Sequence, residues 1–183
     1  MFKERDTYIF YKMTNILEVQ TVQSSAFRIL IEALKEILTD ANLEFDNTGM
    51  KIMAMDSSHT VLVHLKLGAD NFENYECKKK VIVGVNMINF FKLIKTMGNS
   101  DTLTLYIEED KESVLGIRID NNEKNSVTRF VLNLMDLHEE NLQIPPAEFS
   151  SVITMPSVDF QKICRDMHNL ADDLEVKSLG NQL

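Results

Sequence analysis

From Ile16 onward, apolar and polar positions alternate in short stretches, interrupted by runs in which apolar residues recur every third or fourth position. Alternation places successive side chains on opposite faces of a strand, whereas the longer spacing gathers one face of a helix. "LEVQTVQ" accordingly reads as a strand. It leads into the helix "AFRILIEALKEILTD", where Phe27, Leu30, Ile31, Leu34, Ile37 and Leu38 share one side and Ser24 and Ser25 are placed to cap. Strand segments follow at "NLEFD", at "MKIMAMD" beyond an Asn-Thr-Gly turn, and at "TVLVHLKL" beyond an Asp-Ser-Ser turn.

The order β-α-β-β-β then recurs. "NYECKKKVIVGV" runs into the helix "NMINFFKLIKTMG", with Asn86 as cap and Gly98 at its end. The strands "DTLTLYIEED", "SVLGIRID" and "SVTRFVLNL" complete the second unit. A third begins at "FSSVITM", has Pro156 near the first turn of the helix "SVDFQKICRDMHNLADD", and continues into "LEVKSLG". Before it, "MDLHEENLQIPPAEF" holds no sustained period and carries Pro145 and Pro146, as an extended connector would. The expected organisation is an N-terminal extension (1–15), a first domain (16–134), a connector (135–148) and the start of a second domain (149–183).

With 183 residues, 44% of them hydrophobic, the chain can bury a core. Charge complicates the picture: 28 acidic residues face 19 Lys and Arg, for a net charge of −9. The average surface therefore repels phosphate and anionic lipid, and any nucleic-acid role needs a local basic face. Cys77 and Cys164 stand far apart without metal-ligand spacing, which suits free thiols. No glycine-rich phosphate loop, HExxH or EF-hand motif occurs, so no metal and no cofactor is expected. "MFKERDTYIFYKMTN" is neither a signal peptide nor a membrane span.

"AMDSSHTVLVHL" sets Asp56, Ser57, Ser58 and His59 side by side, the residue types of a hydrolytic triad. Sequence neighbours seldom converge in space, and no Gly-x-Ser-x-Gly elbow accompanies them. A tight turn is the expected role. The histidines at 59, 64, 138 and 168 are scattered and read as surface or packing residues. The acidic groups Asp172-Asp173 and Glu108-Glu109-Asp110 fall at predicted ends and turns, where solvated carboxylates are ordinary.

The helices are more informative. Opposite the apolar side of the second helix (Met87, Phe90, Phe91, Ile94, Met97) stand Lys92 and Lys95 and no acid. The third helix places Lys162 and Arg165 three apart on one face; the first offers Arg28 and Lys35, diluted by Glu32 and Glu36. A solvated lysine face is common on amphipathic helices, but here it recurs at equivalent places in repeated units.

"IEALKEIL", "GMKIMAMDSSHTVLVHLKL", "GVNM", "LNLMDLHEENLQIP" and "MPSVDFQKICRDM", in this order, closely resemble the proliferating cell nuclear antigen family of sliding clamps, over about residues 16 to 183. The resemblance implies an α+β DNA clamp fold of repeated β-α-β-β-β units, with inner helices, outer antiparallel sheets and an incomplete second domain. It implies no enzyme but a ring around double-stranded DNA, a homotrimer when full length, acting without sequence preference as a polymerase processivity factor in the nucleus or another site of replication. Replicative polymerase, clamp loader and other replication and repair proteins would dock through short aromatic-anchored peptides, with no membrane involved.

Carried over residue by residue, the DNA-facing set is Arg28, Lys35, Lys92, Lys95, Lys162 and Arg165, with Ile29 where many relatives have a second basic residue. The peptide groove would comprise Met55, His59, Thr60, Leu62, Leu142, Ile144 and Pro145, with Thr60 in place of the usual apolar residue. The subunit interface would be the strand Ser126, Val127, Thr128, Arg129, Phe130, Val131, Leu132, Asn133 and Leu134. Its partner strand in relatives would lie beyond Leu183, so the chain is expected to be a fragment, a truncated reading frame or a split product that leaves this edge open and closes no trimer. Relatives begin near Ile16, which makes Met13 a possible functional start. Two other readings stand beside the clamp: a peptide-binding adaptor of the same fold that closes no ring, and, further off, a hydrolase using Ser57 or Ser58 with His59.

Overall fold

The strand that opens each repeat pairs outside its own repeat. In the computed structural model, which describes residues 14–138, 148–149 and 151–177, the chain forms two compact units, Met1–Leu142 and Gln143–Leu183. The first contains β1 (Asn15–Thr21), α1 (Ser24–Ile37), β2 (Asp40–Asp46), β3 (Gly49–Met55), β4 (Leu62–Gly68), β5 (Asn74–Cys77), β6 (Val81–Asn86), α2 (Met87–Ile94), β7 (Thr102–Glu108), β8 (Val114–Asn121) and β9 (Ser126–Asn133). β1 lies antiparallel to β7 of the second repeat, with Val19 opposite Leu105, and β6 lies antiparallel to β2 of the first, with Leu43 opposite Val83. The sheets run β5-β1-β7-β8-β9 and β4-β3-β2-β6. Each repeat therefore needs the other to satisfy its backbone.

One apolar cluster draws on both sheets and both helices, with Leu17, Phe45, Phe90, Ile52 and Leu103 among its buried members. α1 and α2 lie antiparallel, each junction tied by a hydrogen bond: Ser24 Oγ donates to the Gly98 carbonyl at 3.0 Å, and the Met87 amide donates to the Thr39 carbonyl at 2.9 Å. Between them Phe27 meets Phe90 edge to face, with ring centroids 6.4 Å apart, a geometry that places a ring edge on a π face. On α1, Phe27, Ile31 and Leu34 are buried, while Ile37 is exposed and Leu38 is buried beyond the helix end.

Several expectations change in detail. Ser24 and Ser25 do not cap α1: Gln23 occupies the cap position without a side-chain bond, and Ser24, fully buried, spends its hydroxyl on α2's exit. Asn86 does cap α2, accepting from the Asn89 amide at 3.1 Å. "NYECKKKVIVGV" is two strands, β5 and β6, in different sheets, because the three consecutive lysines at 78–80 have no apolar alternation to extend either strand. β4 starts at Leu62, two residues after the expected Thr60, because the amides of Thr60 and Val61 bond to Asp56 instead of to a strand.

In the second unit, α3 (Ser157–His168) forms as expected, with Pro156 at its cap position. "FSSVITM" and the described part of "LEVKSLG" form no strand among the described residues. Alternation supplies a face, but a strand is held by a neighbour's ladder. Val158, Phe160, Ile163 and Met167 of α3 stay exposed, and a cavity of about 620 Å³ opens among Ile153, Phe160, Ile163, Leu174 and Val176.

After β9 the chain leaves the five-stranded sheet at Leu134 and crosses to the free edge of β6, where the Met135 amide donates to the Gly84 carbonyl at 2.8 Å. A Cβ on residue 84 would stand 2.1 Å from the Met135 carbonyl oxygen, so only glycine admits this approach. Gly84→Ala should free the start of the connector at a cost of about 0.5–1.5 kcal/mol, the worth of one backbone hydrogen bond. Hydrogen exchange should show the Met135 amide losing protection while β2 and β7 keep theirs; unchanged protection at Met135 would refute the pinning role.

Candidate functional site

The described residues present three surfaces on the first unit. The first is the outward side of the helix pair. Lys92 and Lys95 are exposed and make no ion pair among the described residues. Lys35 is different: its Nζ stands 5.0 Å from the centroid of the Phe91 ring and pairs with the Glu36 carboxylate, leaving the side chain 19% exposed. An ammonium over an aromatic face gains electrostatic attraction, which competes with any external anion. Arg28 is half-buried, its Nε enclosed without an acceptor, as when an arginine stem lies along apolar surface. Ile29, next to Arg28 on the same helix, is 57% exposed. Lys162 and Arg165 are exposed on α3 of the second unit.

The second surface is the β3–β4 hairpin. Met55 and Leu62 face each other across its mouth, half-buried and exposed respectively. The turn between them is built on one carboxylate. Asp56 Oδ1 accepts from the amides of Val61 at 2.7 Å and Thr60 at 2.8 Å, while Oδ2 accepts from the Ser58 hydroxyl and, at 3.3 Å, its amide. The His59 amide closes the turn on the Asp56 carbonyl at 3.0 Å, and His59 adopts φ 55, which β-carbon residues rarely take. No hydrogen bond joins the His59 side chain to either serine among the described residues, and Ser58 turns its hydroxyl to Asp56 and Thr60. This is turn chemistry of the Asx type, without the base-to-nucleophile contact that hydrolysis needs. The other groove residues, Leu142, Ile144 and Pro145, lie outside the described residues.

The third surface is β9, an edge of the five-stranded sheet. Its inner residues Phe130 and Leu132, with Leu134, pack on the core. Ser126, Val127, Thr128, Arg129, Val131 and Asn133 are exposed. Arg129 stands directly opposite Arg118, a like-charge pair that would repel; Asp120, 2.8 Å from Arg118, neutralises one partner.

Residues 16–141 match the family model "Proliferating cell nuclear antigen, N-terminal domain", and residues 143–181 match the model of its C-terminal domain. The chain belongs to the proliferating cell nuclear antigen family. It is 35% identical over 168 residues to the "Probable DNA polymerase sliding clamp 1" of Paramecium bursaria Chlorella virus 1, across 92% of this chain and 64% of that protein. The chain thus spans about 64% of that relative's length. The α+β clamp fold of repeated units is the fold of this family, and the described sheets and helices agree with it.

In this clamp-family chain the sequence reading missed two features of the candidate site. Asp56 is a turn residue as expected, but its carboxylate gathers three further residues, Ser58, Thr60 and Val61; an aspartate followed by serine at the second position and threonine at the fourth is the signal for it. Val61 is exposed beside Leu62 and adds apolar surface to the hairpin. Among the described residues no group of three or more His, Cys, Asp or Glu could hold a metal, and no helix is long and apolar enough to cross a membrane.

The Ser58 hydroxyl, then the Val61 amide, hold the Asp56 carboxyl well below the usual carboxylate range, against a smaller opposing effect of burial. A carboxyl whose folded pKa is depressed stabilises the turn above its unfolded pKa, and the benefit disappears as pH falls through the folded value. The Thr60 and Val61 amide shifts should therefore stay fixed as pH drops through about 4, where ordinary carboxyls titrate, and move only below it. An NMR titration with a midpoint near the ordinary value would contradict the clamp by Asp56.

Proposed function

We propose that this chain is a subunit of a sliding clamp that encircles duplex DNA and serves as a processivity factor for a DNA polymerase. Replication and repair proteins dock on it through the β3–β4 hairpin. The observation that carries this reading is the pair of exposed lysines, Lys92 on α2 and Lys95 at its C-terminal cap, without acid partners among the described residues in a chain of net charge −9. An acidic protein that binds DNA by surface attraction alone works against its own field. A ring is held by topology, so a few sequence-independent phosphate contacts on its inner helices suffice and leave it free to slide.

The remaining pieces follow from the same reading. Arg28, Lys35, Lys162 and Arg165 complete the DNA-facing set. In this reading Met55, His59, Thr60 and Leu62, with Leu142, Ile144 and Pro145 of the connector, would serve aromatic-anchored peptides as an apolar groove, whose buried anchors would carry most of the affinity. The open edge of β9, Ser126 to Leu134, offers one half of a head-to-tail interface, and such an interface closes into a ring only with its complement. The chain would act where DNA is replicated, the nucleus in a nucleated cell.

The test uses the salt dependence of binding to short duplexes of unrelated sequence, followed by fluorescence anisotropy. The double change Lys92→Ala and Lys95→Ala should weaken binding equally for all sequences and flatten log K against log salt by about one unit per lysine. Lys35→Ala should change the slope less, because Phe91 and Glu36 already engage that ammonium. Melting temperatures should stay near the parent's. A double variant with the parent's affinity and slope would overturn the DNA-facing assignment.

A further inference from the structure

Thr60 occupies a groove position where the resemblance leads one to expect an apolar side chain, and a hydroxyl there would ordinarily change what the groove accepts. Its hydroxyl is already committed. Ser58 Oγ gives its single proton to Asp56 Oδ2, and Thr60 Oγ1 lies 2.7 Å from Ser58 Oγ. With the Ser58 proton spent, the bond between the two hydroxyls must run from Thr60 to Ser58. The alternative acceptor for Thr60, Asp56 Oδ2 itself, lies at 3.4 Å, where little is gained. A relay of Thr60 O–H to Ser58 O–H to the Asp56 carboxylate results, while the Thr60 and Val61 amides bond to the other carboxylate oxygen. The same amide bonds keep Thr60 and Val61 out of β4, directly after His59 in its left-handed conformation.

We infer that Asp56 is the positioning residue of the docking groove, fixing the Asp56–Val61 turn before any partner arrives, and that Thr60 is read by a partner through its methyl group and not its hydroxyl. This rests on the groove reading above. Preorganisation of this kind favours binding because the turn's ordering cost is met within the free protein. Thr60 then serves as the isostere of a valine, with its hydroxyl engaged by Ser58.

The test measures binding of a fluorescein-labelled peptide, carrying hydrophobic and aromatic anchors on a helical turn, to the 183-residue chain. Asp56→Ala should weaken binding roughly tenfold, the scale of a lost charge-assisted hydrogen bond, with Asp56→Asn in between because its carbonyl oxygen can still serve Thr60 and Val61. Thr60→Val should bind as well as the parent or better, whereas Thr60→Ser should lose about fourfold, the worth of one buried methyl. In the free protein, the downfield Thr60 and Val61 amide signals should vanish in Asp56→Ala and persist in Thr60→Ser. The reverse order of the two Thr60 variants would overturn the methyl reading. Unchanged binding or unchanged amide signals in Asp56→Ala would overturn the positioning role. Leu62→Ala separates these failures from that of the groove itself: a parent that binds no such peptide, or a Leu62→Ala chain that binds like the parent, removes the groove and the inference together.

Discussion

The exchange of strands between repeats is the constraint on which the first unit depends. β1 inserted between β5 and β7, and β6 bonded along β2, give each sheet a strand from the other repeat. A single repeat would leave β1 and the β2–β3–β4 meander without ladders on exposed apolar edges, a costly arrangement. The antiparallel helices follow from it. Each opens directly after an exchanged strand, so α1 starts beside the end of α2 and α2 starts beside the end of α1. The Phe27–Phe90 contact then fills the space that this antiparallel pairing defines.

Every candidate surface hangs on that frame. The helix pair carries Lys92 and Lys95 outward because Met87, Phe90, Ile94 and Met97 are committed to the core. Within the pair, one cation is withdrawn: Lys35 spends its charge on Phe91 and Glu36, so it reaches toward an anion less than the exposed Lys92 and Lys95 do. The hairpin depends on β3 and β4 for its width and on Asp56 for its shape. Among the described residues the edge of β9 is open because its only ladder is to β8, while Leu134 and Met135 carry the chain away to β6. In the proposed clamp these would be the DNA face, the docking groove and half of the ring contact.

Much of this was legible in the sequence, and what was not has physical reasons. Periodicity located α1, α2, α3 and the strands, since burial on one face writes itself into spacing. The repeat was visible, but its strand exchange was not, because pairing between β1 and β7 is a property of two distant segments and neither one records its partner. Ser24 misled because a serine before a helix is as able to donate into the core as to cap. "FSSVITM" misled because alternation alone does not supply a ladder. At the site, the basic residues were readable from helix geometry; the inward turn of Lys35 and the hydroxyl relay from Thr60 were not, since both depend on a neighbour brought close by folding. The family resemblance supplied the proposed groove positions, and the Asp56 carboxylate added what orders the turn that carries His59 and Thr60.

The central claim is that strand exchange makes the first unit one cooperative body on which all three surfaces are carried. Native-state hydrogen exchange, followed by NMR as a function of low denaturant, tests it most directly. Amides at the β1–β7 pairing, such as Val19 and Leu105, and at the β2–β6 pairing, such as Leu43 and Val83, should share a single opening free energy equal to that of global unfolding. Two separate opening energies, one for each repeat's own meander with its helix, would show that the repeats fold independently and would contradict the account.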